Sequence, residues 1–345
     1  MRPRSLLLAV MMLCSPYAPL VRPDPLIITR AMTASTIAEF FVERDSILVQ
    51  LEIGLVDLPA FHNLLPSELL ARIQDTTTPL ARRLTQFFRN DLTITPRGGT
   101  PIVGRLLRMS VRRRLQRDEI TGEPLPNQDE NAELVLLAEL SYPLSVMSDT
   151  LSFSPPGTSA GATGPLANIG FVVYHEGIPV NDFRYLAPDA TLGLDWEDPW
   201  YSAFTVRSLR RQFYAPLSAY LYVEEHEVRK EIVLRPKDLQ QWTDLGLAGR
   251  DSIVVGEQEE IKRRVVEFLD THTQVSIDGR PVDGHLDRVH FIYRTLRTTG
   301  VIDPPRDLRL TDALLGVIFY YPVDSLPELV TMEWDLFGEG IREIP

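Results

Sequence analysis

Cysteine is almost missing from this chain: Cys14 is the only one in 345 residues. One thiol cannot build a disulfide framework or a thiolate zinc site. If the first residues are removed on maturation, a cysteine nucleophile is excluded as well. No N-x-[ST] sequon occurs, so nothing marks a glycosylated eukaryotic secretory route. Beyond the N-terminus no apolar run is long enough to span a bilayer. Basic charge is in deficit, with 35 Lys and Arg against 47 Asp and Glu and a net charge of −12. Such a surface repels phosphate backbones and argues against a nucleic-acid partner.

The six histidines form no evident metal set. His285 and His290, five apart, are expected on opposite faces of a strand. His226 falls in an acidic hairpin turn, and His175 in a turn mirrored by Gly338. No metal or cofactor is called for.

What is present is a folded-protein composition, 44% hydrophobic and 24% charged, punctuated by 27 Pro and 20 Gly. That punctuation favours short strands over long helices. The opening "MRPRSLLLAVMMLCSPYAPL" has a basic start at Arg2 and Arg4 and a short apolar stretch from Leu6 to Leu13, the pattern of a signal peptide. Residues 1–31 are expected to be a cleaved leader, with a retained anchor or lipidation at Cys14 as the other fates. The mature chain is then extracytoplasmic, in the periplasm or cell envelope of a bacterium, touching membrane only peripherally or through that segment.

The rest of the chain reads as one pattern written twice. "FVERDSILVQLEIGLVDLPAF" (41–61) aligns without a gap on "YVEEHEVRKEIVLRPKDLQQW" (222–242), an offset of 181 (222 − 41). Phe87 meets Phe268 at the same offset. "LLAELSYPL" (136–144) matches "LGVIFYYPV" (315–323), and "FVVYHEGI" (171–178) matches "WDLFGEGI" (334–341). The predicted fold is therefore mainly β with some α, a tandem duplication of a β-sandwich-like domain with one helix per copy. The first copy spans 32–183, with a flexible Gly/Pro-rich insertion at 154–169. A connector covers 184–216 and the second copy 217–345. Each copy opens on a hairpin, then a helix, predicted over 66–90 and over the "EQEEIKRRVVEFLDTH" run. The Asp278–Gly279 pair marks a further hairpin turn.

The stretch "IAEFFVERDSILVQLEIGLVDLPAFHN" resembles the extracytoplasmic N-terminal region of bacterial HupE/UreJ-like membrane proteins. There a signal peptide precedes a strand pair with an acidic turn and a "DLP.F"-like ending. The resemblance implies a bacterial, extracytoplasmic β-sandwich and carries over no catalytic residue. The membrane helices of that family do not follow here.

Three stretches are candidates for chemistry. "GTSAG" around Ser159 fits a nucleophile elbow in letters only, for it lacks the flanking strand and helix that give the motif its geometry. Arg112, Arg113 and Arg114 lie in the one basic run, 104–117. They are suited to an anionic surface or, more simply, to a charged edge strand pairing with the acidic loop behind it. "DWEDPWY" concentrates Asp195, Trp196, Glu197, Asp198, Trp200 and Tyr201. It could hold a glycan or calcium. The preferred reading is a latch, the carboxylates pairing with Arg207, Arg210 and Arg211 while the rings bury at a domain junction.

No catalytic constellation emerges. The expectation is a non-enzymatic envelope protein that binds or assembles with a protein or glycan partner. The alternative is a secreted glycan hydrolase using carboxylates of the 195–198 cluster.

Overall fold

A computed structural model describes residues 30–71, 78–116, 125, 131–157, 164–211, 215–294 and 299–337. The chain is mainly β with some α, in two lobes. The first lobe begins with the hairpin β1 (Thr36–Val42) and β2 (Ser46–Gly54), followed by the short helices α1 (Ser67–Leu70) and α2 (Leu80–Gln86). Then come β3 (Thr93–Pro96), β4 (Arg105–Arg113), β5 (Leu134–Pro143), β6 (Thr150–Ser154) and β7 (Ile169–His175). It closes with the short strands β8 (Ile178–Pro179), β9 (Arg184–Tyr185), β10 (Ala190–Gly193) and β11 (Ala203–Phe204).

The second lobe opens with β12 (Leu217–Val223), β13 (Glu227–Leu234), α3 (Pro236–Leu239), β14 (Ser252–Ile253) and the long helix α4 (Val255–His272). It continues through β15 (Val275–Ile277), β16 (Arg280–Val282), β17 (His285–Arg294) and β18 (Thr299–Val301). The last strands are β19 (Leu308–Arg309), β20 (Leu314–Pro322) and β21 (Val330–Met332).

Strand alternation decides which face is buried. In β1 every second residue points inward, so Ala38, Phe40 and Val42 are buried between less covered neighbours. The large sheet of the first lobe has the order β4-β5-β2-β1-β7-β8, with β9 on β7, and a smaller sheet has the order β11-β10-β6-β3. Phe40 of β1 meets Phe153 of β6 edge-on at 5.0 Å, and Phe171 of β7 meets Phe204 of β11 at 5.6 Å. One apolar core therefore fills the space between two facing sheets. In the second lobe the sheet β12-β13-β20-β17-β18 shares its core with Ile261, Val265, Phe268 and Leu269 of α4 and with Val275 of β15. A helix and a small sheet form the second layer there.

The two halves repeat more than an outline. The order β4-β5-β2-β1 reappears as β17-β20-β13-β12, and β3 against β6 reappears as β15 against β21. Both hairpin turns close identically, Glu43 N–H on Ser46 O and Glu224 N–H on Glu227 O, each at 2.9 Å. A β-bulge falls between Leu106 and Arg108 on β4 and between Leu286 and Arg288 on β17. Positive φ recurs at Gly98 and Gly279, where glycine alone enters the turn without strain. Gly104 and Gly284 lead into the bulged strands, and a Cβ on either would sit 2.8 Å from the ring of Phe88 or Tyr321.

The same helix-end carbonyl is also capped twice, by different side chains. Tyr142 donates its hydroxyl to Leu92 O at 2.9 Å. At the matching place Lys230 donates to Thr273 O at 2.7 Å and to Thr273 Oγ1 at 2.8 Å. Lys230 is buried at the position taken by Val49 in the first half, with Nζ 4.4 Å from the Phe319 ring centre. Burial draws its pKa down to about 8. Its charge is met by the C-terminal carbonyl of α4 and by the aromatic face.

Several boundaries differ from expectation. The helix predicted over 66–90 is split into α1, α2 and a π turn at Phe87–Asp91, because Pro79 cannot continue a helix from the residues before it. Among the described residues two short α-helices thus stand in the first lobe, and the short α3 precedes the long α4 in the second. Ser154 and Ile169 belong to β6 and β7, so the expected insertion shrinks from both ends, and 158–163 lie outside the described residues. Residues 184–204 are no free connector, since β9, β10 and β11 join the sheets of the first lobe. Residues 334–337 form no strand corresponding to β7, and 338–345 lie outside the described residues. The bulge on β17 also brings His285 and His290 to the same face, opposite Tyr320 and Gly316. Four residues of strand hold them about 13 Å apart, too far to share an ion.

Asp91, at the end of the π turn, offers a pH handle on the first lobe. Its Oδ2 accepts from Asn63 Nδ2 at 3.0 Å, and burial raises its pKa to about 6. An acid raised in the folded state stabilises most below its unfolded value, near 3.8, and that stability is lost as pH rises through about 6. Asp91→Asn is expected to raise stability at pH 8 by up to ~3 kcal/mol, with no gain at pH 3.5, in parallel urea melts.

Candidate functional site: the bridge between the lobes

The cluster at 195–201 sits on the turn between β10 and β11. Asp195 shapes that turn, its Oδ1 accepting from the backbone N–H of Glu197 at 3.0 Å and Asp198 at 2.8 Å. Asp198 in turn caps the following short 3-10 turn by accepting from Trp200 N–H. Local backbone demand therefore accounts for two of the three carboxylates, and Glu197 is exposed.

Asp198 also reaches across to the second lobe. Nη2 of Arg235, just past the end of β13, lies 2.9 Å from both of its carboxylate oxygens, and Lys237 Nζ donates to Oδ2 at 2.8 Å. Arg235 is 0% exposed, with Nη1 donating to Asp238 Oδ2 and Nη2 also to Thr311 O, while Nε has no partner among the described residues. Tyr201 donates its hydroxyl to Asp238 Oδ1 at 2.9 Å. The Arg235 guanidinium carbon lies 4.8 Å from the Trp200 ring centre and 5.4 Å from that of Tyr201, while Arg211 packs on Trp200 at 4.1 Å. Arg211 also donates to Pro179 O and Trp200 O.

Electrostatics follows this geometry. Burial pushes the Asp198 carboxyl up, but Arg235 and Lys237 more than offset it, and its pKa lies below the ordinary value. Burial raises Asp238 despite Arg235 beside it, and raises the Tyr201 hydroxyl as well. A buried arginine held between two carboxylates and two rings is a closed ion-pair arrangement, not an open ligand shell.

The sequence-predicted residues are thus brought together, but through other partners. Arg210 donates to Phe204 O and Thr205 O, and Arg211 to carbonyls, so neither pairs with the 195–198 carboxylates. Arg207 is exposed with no side-chain bond to them among the described residues. The backbone of 203–211 presents carbonyls nearer than any carboxylate, and Asp198 faces the other lobe. Trp196 points back into the first lobe, with Nε1 donating to Ser148 O at 2.9 Å. Arg235, Lys237 and Asp238 were missed by sequence reasoning. Their one signal is that Asp57–Leu58 and Asp238–Leu239 match between the halves. Asp57 accepts from Thr36 Oγ1 at 2.7 Å within its own lobe, whereas Asp238 serves the bridge.

A second contact joins the lobes nearby. Arg309 of β19 donates to Glu176 O at 2.9 Å, and the Glu176 side chain accepts from Arg44 at 2.8 Å. His175, just before it, is a fully buried strand residue at the end of β7. It does not lie in an exposed turn, because the β7 register against β1 carries it inward beside Val42.

The basic run is an edge strand, since β4 ends its sheet. Arg112 pairs with Glu52, and Arg113 donates to Ala132 O. Arg114 donates to Ala34 O and Ser35 O and lies 3.7 Å from Glu133. Arg114→Ala should cost ~1–3 kcal/mol, because charged hydrogen bonds to part-buried carbonyls are lost. Arg105→Ser with Arg108→Ser, on the exposed part of the strand, should stay within ~0.5 kcal/mol in the same denaturant melts. Ser159 lies outside the described residues.

Among the described residues no group of three or more His, Cys, Asp or Glu could hold a metal ion, and no helix is long and apolar enough to cross a membrane. No family model matches the chain, and no curated protein and no solved structure is similar to it.

Proposed function

We propose that this is a non-enzymatic, extracytoplasmic bacterial protein whose two lobes arose by tandem duplication and act as one rigid unit in binding or assembly at the cell envelope. The observation that carries the reading is the use made of the acidic cluster. Asp195 holds its own turn, and Asp198 is neutralised by Arg235 and Lys237. A glycan hydrolase needs two carboxyl groups facing each other across a substrate, at about 5–10 Å, one able to carry a proton. Carboxylates on a single tight turn, one of them held ionised by two cations, do not answer that need.

The recurring hairpin turns, bulges and capped helix ends support the duplication. The basic and apolar N-terminal residues, together with the resemblance to the extracytoplasmic region of HupE/UreJ-like proteins, support export. The partner is taken to be a protein or glycan of the envelope, with contact to membrane only peripheral or through the N-terminal segment.

The test is fractionation of the full chain expressed in a Gram-negative host, with N-terminal sequencing and a reducing-end assay on peptidoglycan and soluble glycans. The expected result is a shortened periplasmic chain that releases no sugar and is retained saturably on isolated envelopes. Sugar release abolished by Asp198→Asn, or an intact cytoplasmic chain, would overturn the proposal.

A further inference from the structure

His175 is buried where both inter-lobe contacts originate. Its Nδ1 lies 2.7 Å from Ser202 Oγ, and the same hydroxyl oxygen accepts the Asp195 N–H at 2.8 Å. The Ser202 oxygen keeps a second lone pair and its own hydrogen, so it donates to Nδ1 or accepts from it according to the ring tautomer. Nε2 has no hydrogen-bond partner among the described residues, and the ring meets Trp196 edge-on at 4.4 Å. Ser202 and Asp195 are the two feet of the turn that aims Asp198 at Arg235. The next residue, Glu176, gives its carbonyl to Arg309 of the second lobe.

We propose that His175 is an acid sensor built into the bridge, and that its protonation loosens the contact between the lobes. With both ring nitrogens protonated, Ser202 can only accept at Nδ1, and its own hydrogen must turn to another acceptor. Protonation also buries a cation whose Nε2–H meets no acceptor among the described residues. The ring gains by moving toward water, and that movement displaces Ser202, the 195–198 turn and the Glu176 carbonyl together.

The charged groups facing the ring are few. Glu176 on its own strand end and Asp195 from the β10–β11 turn favour the cation, and Arg44 from the β1–β2 turn opposes it. Burial, with Arg44 acting in the same direction, outweighs the two acids and lowers the pKa to about 4. For a base depressed on folding, the stability is present above the unfolded value of 6.5 and is lost as pH falls toward about 4. Asp198 stays ionised through this window, its pKa held below 3.8. Asp238 is raised and is the competing titration at the bridge. The inference rests on the bridge alone and does not depend on what the protein binds.

The test is a spin-label distance between the lobes. The labels go on Val146→Cys and Leu326→Cys, both exposed, in a full chain carrying Cys14→Ser. A single narrow distance at pH 7.5 is expected, with a second, broader population appearing below about pH 5 as the ring charges. His175→Gln keeps an acceptor for Ser202 but cannot titrate, and should reduce that second population at least ~10-fold at the same pH, the equivalent of one pKa unit. An unchanged distance down to pH 4, or the same acid response in His175→Gln, would overturn the proposal. Should that variant not fold, the NMR titration of the His175 ring in the otherwise native chain decides. Coincident midpoints for ring and distance support the sensor, and midpoints apart by more than about one unit contradict it.

Discussion

Replacing Asp198 with alanine is expected to destabilise the protein by ~3–5 kcal/mol, the usual cost of removing one partner from a buried ion pair. Arg235 is wholly buried and cannot turn to solvent, so its charge would be left with Asp238 and a carbonyl. Lys237, a third exposed at its side chain, can rehydrate and softens the loss only slightly. The N-terminal cap on the following turn disappears as well, adding ~1 kcal/mol. Urea melts at pH 7 read the effect. Asp198→Asn, which keeps the cap acceptor but not the charge, should recover part of it.

Trp200→Ala should cost a similar ~3–5 kcal/mol by a different route, the emptying of a large ring from a packed site. The indole gives a face to both Arg211 and Arg235. Without it two like charges confront each other across a gap, with no ring quadrupole to oppose their repulsion. The lobes should then unfold in two steps rather than one, visible as two calorimetric transitions. A ligand site would behave otherwise, for an exposed binding tryptophan can be truncated at little cost to the melt.

Much of this architecture was legible because it is local. The hairpins at 36–54 and 217–234 follow from alternation of apolar residues around acidic turns, and the Asp278–Gly279 turn from its dipeptide. Matches at offsets of 181 (222 − 41) and 179 (315 − 136) fell on the two opening hairpins and on β5 and β20. What escaped depended on distant partners. Nothing local says that β7 pairs in parallel with β1 at a separation of 133 residues (169 − 36). Arg235 reads as the end of a strand, and its partner Asp198 lies 37 residues earlier in another lobe. The arginines at 207–211 were nearer in sequence, and proximity misled. Lys230 did leave a signal, since strict alternation in "VRKEIVL" puts it on the buried side with Val228 and Ile232. A charge on that side announces a partner, and Thr273 is that partner.

Trp200 and Arg235 join the lobes as one packed contact. A double-mutant cycle between Trp200→Ala and Arg235→Met, measured by urea unfolding of the full chain at pH 7, tests it most directly. A coupling of about 2 kcal/mol or more is expected, because each change removes what the other needs. Additive effects, within ~0.5 kcal/mol, would mean that the two residues do not act together and would contradict the bridge.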